Sequence, residues 1–164
     1  GQTTKMIGQY AVHHRTVQHT VVEHDKEWVD FWRQSNRKLD NTEIMTLELV
    51  CKPNPNASHD VRQYDRFAES LFGNTYDFIS IDAPFGYDMK ELARIDVLSL
   101  IPACLDESFA IMVDDYNRRG EQNMVRLLEK QLIEAGVKYA TGAYKGEKHT
   151  LVIASQDNAF LCSM

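Results

Sequence analysis

Two short apolar segments that each end in aspartate constrain the fold most strongly. Residues 76–81 (Tyr-Asp-Phe-Ile-Ser-Ile) precede Asp82, and residues 109–113 (Phe-Ala-Ile-Met-Val) precede the pair Asp114 and Asp115. Both segments are apolar enough to form buried strands, as in a parallel sheet that is covered on its faces. Open α/β sheets bind their ligands at the carboxyl ends of the strands. The sequence therefore predicts that these carboxylates lie side by side at one edge of a parallel sheet.

The crowding of these carboxylates predicts a metal site. Carboxylates that lie close together repel each other unless a cation or protons compensate their charge. Oxygen ligands of this kind suit a hard divalent cation such as Mg²⁺. We therefore expect Asp82, Asp114 and Asp115 to be metal ligands. The alternative is that each aspartate only caps a helix or a turn, as aspartate often does.

The rest of the chain alternates between helical and strand patterns. The predicted helices are 3–11, 61–72, 89–100 and 121–135, together with a helix that Asp25 caps and that carries Trp28, Phe31 and Trp32, of which the two tryptophans are expected in the core. The predicted strands are 19–23, 44–50, 76–81, 109–113, 138–144 and 149–154. The link of residues 145–147 is too short for a crossover, so the last two strands must form an antiparallel hairpin. The pattern predicts a single α/β domain over residues 1–164. We expect a Rossmann-like, mostly parallel sheet that ends in this hairpin and carries helices on both faces.

Composition excludes several classes of protein. The chain has 164 residues and a net charge of −6, which weighs against nucleic acid as its main partner. It has no apolar run long enough to span a bilayer and no signal-peptide pattern at its start. Its three cysteines have no metal-ligand spacing. We expect a cytoplasmic protein with reduced thiols that binds neither nucleic acid nor a membrane.

The order of elements resembles that of the class I S-adenosylmethionine-dependent methyltransferases. In that family an acidic residue after the second strand binds the ribose hydroxyls, and here the strand that ends Val-Val-Glu offers Glu23. The metal-dependent O-methyltransferase branch, which includes the catechol type, carries an Asp after the fourth strand and Asp-Asp or Asp-Asn after the fifth. Asp82 and the pair Asp114 and Asp115 are similar to these ligands.

A narrower resemblance is to the glucuronoxylan 4-O-methyltransferase group. Residues 82–87 resemble its Asp-Ala-Pro-x-Gly-Tyr stretch, and residues 115–118 resemble its Asp-x-Asn-Arg segment. The family's first strand and glycine-rich turn should precede the first helix. By this resemblance Gly1 is the last glycine of that turn and Thr3 meets the cofactor carboxylate. We therefore expect this chain to be a fragment that lacks the N-terminal strand.

The resemblance implies an enzyme that transfers a methyl group from S-adenosylmethionine to a hydroxyl, with help from a divalent cation such as Mg²⁺. The implied cofactor-binding residues are Gly1, Thr3, Glu23 and Asp82. The expected partner is a small-molecule or saccharide acceptor, and a homodimer stays an open alternative. Two other functions also stay open: a metal-dependent glycosyl or nucleotidyl transferase, and a non-catalytic module that has kept the methyltransferase fold.

No catalytic base is assigned from the sequence. The catechol-type enzymes place a lysine base three residues after the first metal-binding Asp, and that position is Phe85 here. Lys148 and His149, on the final hairpin, are the remaining candidates.

Overall fold

The computed structural model describes residues 2–36, 39 and 41–163. Helices and strands alternate along much of the chain, which confirms the α/β class. The helices are α1 (Gln2–His13), α2 (Lys26–Ser35), α3 (Phe67–Leu71) and α4 (Arg119–Glu134), with 3₁₀ helices at Asp96–Ser99 and Gln156–Cys162. The strands are β1 (His19–Glu23), β2 (Thr42–Thr46), β3 (Leu49–Lys52), β4 (Val61–Tyr64), β5 (Tyr76–Ile81), β6 (Leu105–Val113), β7 (Tyr139–Lys145) and β8 (His149–Ser155). The chain divides into two compact units, residues 1–49 and 50–164, so the single domain stays a prediction.

The first unit contains a parallel pair of strands and two helices. β1 and β2 pair in parallel, with Val21 opposite Ile44. The Asp25 side chain accepts a hydrogen bond from the Trp28 backbone N–H at 3.0 Å, so Asp25 caps α2 as predicted. Trp32 is buried and packs with Ile44, which confirms its prediction as a core residue.

The second unit is built on a four-stranded sheet with the order β5-β6-β8-β7. β5 and β6 are parallel, whereas β8 is antiparallel to both β6 and β7. The predicted closing hairpin is therefore confirmed. The single, mostly parallel sheet is confirmed only in part, because the described strands form three small sheets, of which β3 and β4 make the third.

Helix α4 supplies much of the core beside this sheet. Its buried apolar side chains are Met124, Val125, Leu128 and Leu132, and they share one cluster with Ile111, Val113 and Ile153. The spacing of these helix residues is the one that places side chains on one face. Because α4 begins shortly after Asp115, this packing also fixes the chain that carries the aspartates.

Two predicted helices are wrong. Residues 61–72 form β4 and then the short α3, and Arg66 between them has a φ of 56°. In residues 89–100 the only helical turn is the 3₁₀ helix Asp96–Ser99, and Arg94 has a φ of 54°. A left-handed residue cannot continue a right-handed helix, so both segments break there. The predicted strand 44–50 is also divided, into β2 and β3.

Two further expectations concern the environment of the protein. None of the helices in the described residues is both long and apolar enough to cross a membrane. Cys51, Cys104 and Cys162 are unpaired, in line with the expected thiols. The cytoplasmic location stays a prediction.

Candidate functional site

The main chain brings the aspartates together at the end of β5 and β6. Ile81 lies opposite Val113 in the parallel register, so Asp82 and Asp114 follow at the same edge, as predicted. The Asp114 backbone N–H donates to the Ile81 carbonyl at 3.1 Å, which extends the ladder past the strand ends. One ligand atom from each of Asp82, Asp114 and Asp115 lies within 4.8 Å of the others.

A buried arginine lies among these carboxylates. Arg94 donates through Nη2 to Asp115 Oδ2 at 2.8 Å, and the same atom is 3.6 Å from Asp82 Oδ1. Its Nη1 donates to the Asp114 carbonyl at 3.0 Å, and its Nε donates to the Pro84 carbonyl at 3.2 Å. The left-handed backbone of Arg94 is held by these three bonds, because an L-residue adopts that conformation only at a cost. The sequence pattern does not reveal this residue, since it predicts a helix over residues 89–100.

Arg118 and Glu121 extend the cluster into α4. Arg118 Nη1 is 2.9 Å from Asp115 Oδ2, so two guanidinium groups bind the same carboxylate oxygen. Glu121 is completely buried, and its Oε1 lies 3.6 Å from Arg94 Nε and 3.8 Å from Arg118 Nη1. Within the described residues, neither carboxylate oxygen of Glu121 has a hydrogen-bond partner. Burial raises the pKa of Glu121, and the two nearby guanidinium charges oppose that shift.

Close packing holds the loop after β5 against the start of α4. A Cβ on Gly120 would lie 2.2 Å from the Met89 carbonyl oxygen, and one on Gly86 would lie 2.9 Å from Glu121 Oε1. Glycine at position 120 therefore lets its backbone approach that of Met89, and glycine at position 86 leaves room for the side chains of Ala93 and Glu121. This packing holds residues 86–93 against the start of α4.

Lys148 reaches the aspartates from the turn between β7 and β8. Its Nζ donates to Asp114 Oδ2 at 2.7 Å and lies 4.0 Å from Asp115 Oδ1. The Tyr116 backbone N–H donates to the His149 carbonyl at 2.8 Å and ties the turn to the aspartate segment. The hydrogen bond to Asp114 raises the pKa of Lys148. Lys148 is thus a protonated donor here, which does not suit the role of general base.

The pKa values of Asp82 and Asp114 are shifted in opposite directions. Burial raises the pKa of Asp82, and the charge of Asp114 adds to that shift against the opposing charge of Arg94. Burial also disfavours ionisation of Asp114, but the bonds from Lys148 and from the Asp115 backbone outweigh it and lower its pKa. Arg94, Arg118 and Lys148 therefore supply much of the positive charge that the crowded carboxylates need.

Aromatic side chains line the loop beside Asp82. Phe85 and Tyr87 stack with their ring centroids 5.6 Å apart, and they are 43% and 70% exposed. The Arg62 guanidinium lies 4.2 Å from the centre of the Phe85 ring and binds both carboxylate oxygens of Asp88 at 2.7 Å. A fixed, exposed aromatic surface of this kind suits contact with a flat or ring-shaped ligand.

Glu23 and Thr3 lie in the first unit, apart from the aspartate cluster in the chain. Glu23 ends β1, and its Oε1 accepts hydrogen bonds from the backbone N–H groups of His24 at 2.7 Å and Asp25 at 3.1 Å. Within the described residues, every polar contact of the Glu23 side chain uses Oε1. Thr3 is half-buried in the first turn of α1, and Gly1 lies outside the described residues. That Glu23 shares an edge with Asp82 stays a prediction.

Comparisons with known proteins do not identify a family. No known protein family matches the chain, and no curated protein matches it either. Among solved structures, a methyltransferase from Pyrococcus furiosus is similar to this chain at 14% identity, with a TM-score of 0.47 over 92% of this chain and 68% of the other. A likeness of this extent establishes neither a shared fold nor a shared reaction. The function must therefore be argued from the residues themselves.

Proposed function

We propose that the protein is an S-adenosylmethionine-dependent methyltransferase that methylates a hydroxyl of a small molecule or a sugar. The main support is that Asp82 and Asp114 follow two adjacent parallel strands and lie at one edge. That edge is where α/β proteins bind their ligands. The support from the sequence is the resemblance of residues 82–87 and 115–118 to the methyltransferase segments.

Glu23 is the residue that we propose for binding the ribose of the cofactor. Two backbone N–H groups hold its Oε1, so the carboxylate is oriented before any ligand arrives. Its Oε2 can then accept from ribose hydroxyls, as acidic residues after strands do in dinucleotide sites. Thr3, in the first turn of α1, is proposed to meet the cofactor carboxylate, and Gly1 and Asp82 are proposed as further cofactor-binding residues. The bound cofactor supplies an electrophilic methyl group.

The donor set of the aspartate cluster fits a hard divalent cation such as Mg²⁺. Asp82, Asp114 and Asp115 offer carboxylate oxygens within 4.8 Å of one another. Asp115 would ligate through Oδ1, because two arginines already bind its Oδ2. When bound, such a cation lowers the pKa of an acceptor hydroxyl.

The chain's own residues orient the acceptor and keep the edge rigid. Methyl transfer is an in-line displacement, so alignment of the acceptor oxygen contributes much of the rate. The stacked rings of Phe85 and Tyr87 provide a face for the acceptor beside Asp82. Arg94 holds the backbone of the loop and of Asp114 in place through its bonds to two carbonyls.

Titration calorimetry on the full-length protein tests this proposal. S-adenosylmethionine is titrated with and without Mg²⁺, and methyl transfer from labelled cofactor is then followed with hydroxylated acceptors. Binding followed by transfer supports the proposal. Binding of a nucleotide sugar in place of S-adenosylmethionine would favour the glycosyl or nucleotidyl transferase. Binding without transfer to any acceptor would favour the non-catalytic module.

A further inference from the structure

The Lys148 ammonium lies beside two carboxylates of the aspartate cluster. Its Nζ is 2.7 Å from Asp114 Oδ2 and 4.0 Å from Asp115 Oδ1. The positive charges of Lys148 and Arg94 also act on Asp82. We propose that the Lys148 ammonium is a tethered cation that occupies this site in the metal-free protein, and that a divalent cation binds by displacing it. This inference rests on the metal site of the proposed function.

The cations around the cluster are of two kinds. Arg94 is 3% exposed and makes three hydrogen bonds, so it cannot leave without breaking the loop. The Lys148 side chain is 63% exposed, stands on a turn and is bound through a single hydrogen bond to Asp114. A lysine on a flexible four-carbon stem can turn into solvent at little cost. Lys148 is therefore the cation that can be exchanged.

An ammonium and a divalent cation cannot share this place. Both need the oxygens of Asp114, and their like charges would repel each other at the distances found here. Arg94 and Arg118 stay bound to Asp115 Oδ2 in either state. Competition from Lys148 thus sets the concentration at which a divalent cation replaces the lysine ammonium at Asp114.

Cation affinity in matched variants tests the displacement. Mn²⁺ is used because it has an electron spin resonance signal. It is titrated into the full-length parent, into Lys148→Met and into the control Lys145→Met. Lys145 is exposed at the end of β7 and has the same charge, so its variant reproduces the change in net charge. We expect Lys148→Met to bind Mn²⁺ on the order of tenfold more tightly than the parent, and Lys145→Met to bind within about twofold of it.

A second readout follows the lysine itself. The parent protein is treated with an amine-acylating reagent, and modification of Lys148 and Lys145 is measured by mass spectrometry with and without Mg²⁺. Displacement should speed the acylation of Lys148, because its ammonium loses the bond to Asp114, and should leave Lys145 unchanged. Lys148→Gln is carried alongside to replace Lys148→Met if that variant does not fold.

Three results would overturn the inference. They are equal Mn²⁺ affinity in the parent and both variants, no Mn²⁺ binding by folded Lys148→Met, and an acylation rate of Lys148 that Mg²⁺ leaves unchanged or lowers. Binding of S-adenosylmethionine is measured on the same samples. If the cofactor binds and one of these three results is found, the displacement is wrong and the methyltransferase proposal stands. If the cofactor does not bind while cations displace Lys148, the displacement stands and the methyltransferase proposal is wrong.

Discussion

Arg94 Nη2 lies 2.8 Å from Asp115 Oδ2, and the side chains of the two residues are 3% and 10% exposed. This is a buried ion pair. Arg118, which directly precedes α4, also binds Asp115 Oδ2, at 2.9 Å. A buried charge that loses its partner costs far more than an exposed one. Loss of either partner should therefore destabilise the second unit as well as alter the candidate site.

Arg94→Met should strongly destabilise the protein. The substitution leaves Asp115 with one guanidinium partner and removes one of the two positive charges near Glu121. We therefore expect a loss of about 3–5 kcal/mol in the free energy of unfolding. Urea denaturation measures it. Lys52→Met is the control, because Lys52 and Asp65 form an exposed ion pair that should contribute at most about 1 kcal/mol. Similar losses in the two variants would contradict the role of Arg94.

Asp82→Asn and Asp115→Asn should differ in stability. Asp82 is half-exposed and its pKa is raised by burial, so loss of its charge should leave the free energy of unfolding unchanged or higher. Asp115→Asn removes the carboxylate that two arginines bind, and we expect a loss of about 3 kcal/mol. Thermal denaturation of both variants checks this. Equal melting temperatures would show that Asp115 is not the anchor of the cluster.

Glu23→Gln should weaken the binding of S-adenosylmethionine. Loss of a charged acceptor for ribose hydroxyls costs on the order of 1–3 kcal/mol, which is roughly a factor of 5 to 150 in affinity. Calorimetry on the full-length protein measures it. Glu43→Gln, an exposed position on β2, makes the same change in charge and should bind the cofactor as the parent does. Unchanged affinity in Glu23→Gln would remove Glu23 from the cofactor site.

Asp96 should make the protein less stable as the pH rises. Its Oδ1 accepts from the Tyr64 backbone N–H at 2.6 Å, but burial dominates and raises its pKa from 3.8 to about 6. The native state then holds the proton more tightly than the unfolded state, so stability is lost as the pH rises from the unfolded value through about 6. Relative to the parent, Asp96→Asn should gain on the order of 2 kcal/mol between about pH 4 and pH 7.5.

Urea denaturation across this range measures the gain. Asp77→Asn, which changes an exposed aspartate of β5, should follow the parent throughout. If the difference between Asp96→Asn and the parent stays constant with pH, the burial of Asp96 does not raise its pKa in solution.

The features that the sequence predicts correctly depend on nearby residues. The apolar strands before Asp82 and Asp114, the helix cap at Asp25 and the closing hairpin follow from local spacing and a short turn. The role of Arg94 could not be predicted in the same way. Its conformation depends on carbonyls ten and twenty residues away and on the contact of Gly120 with Met89. The one local signal was a basic residue inside the apolar run of residues 92–95.

The segment that carries Asp114 and Asp115 is held by its main chain on both sides. The Asp114 N–H bonds to Ile81 and the Tyr116 N–H bonds to His149, and neither bond involves a side chain. A residue substituted at position 114 should therefore keep the same backbone position, whatever its side chain. Selection can exchange one ligand or reactive group for another there in a single step without rebuilding the sheet. This edge of the sheet is a place where new chemistry can evolve at low cost to the fold.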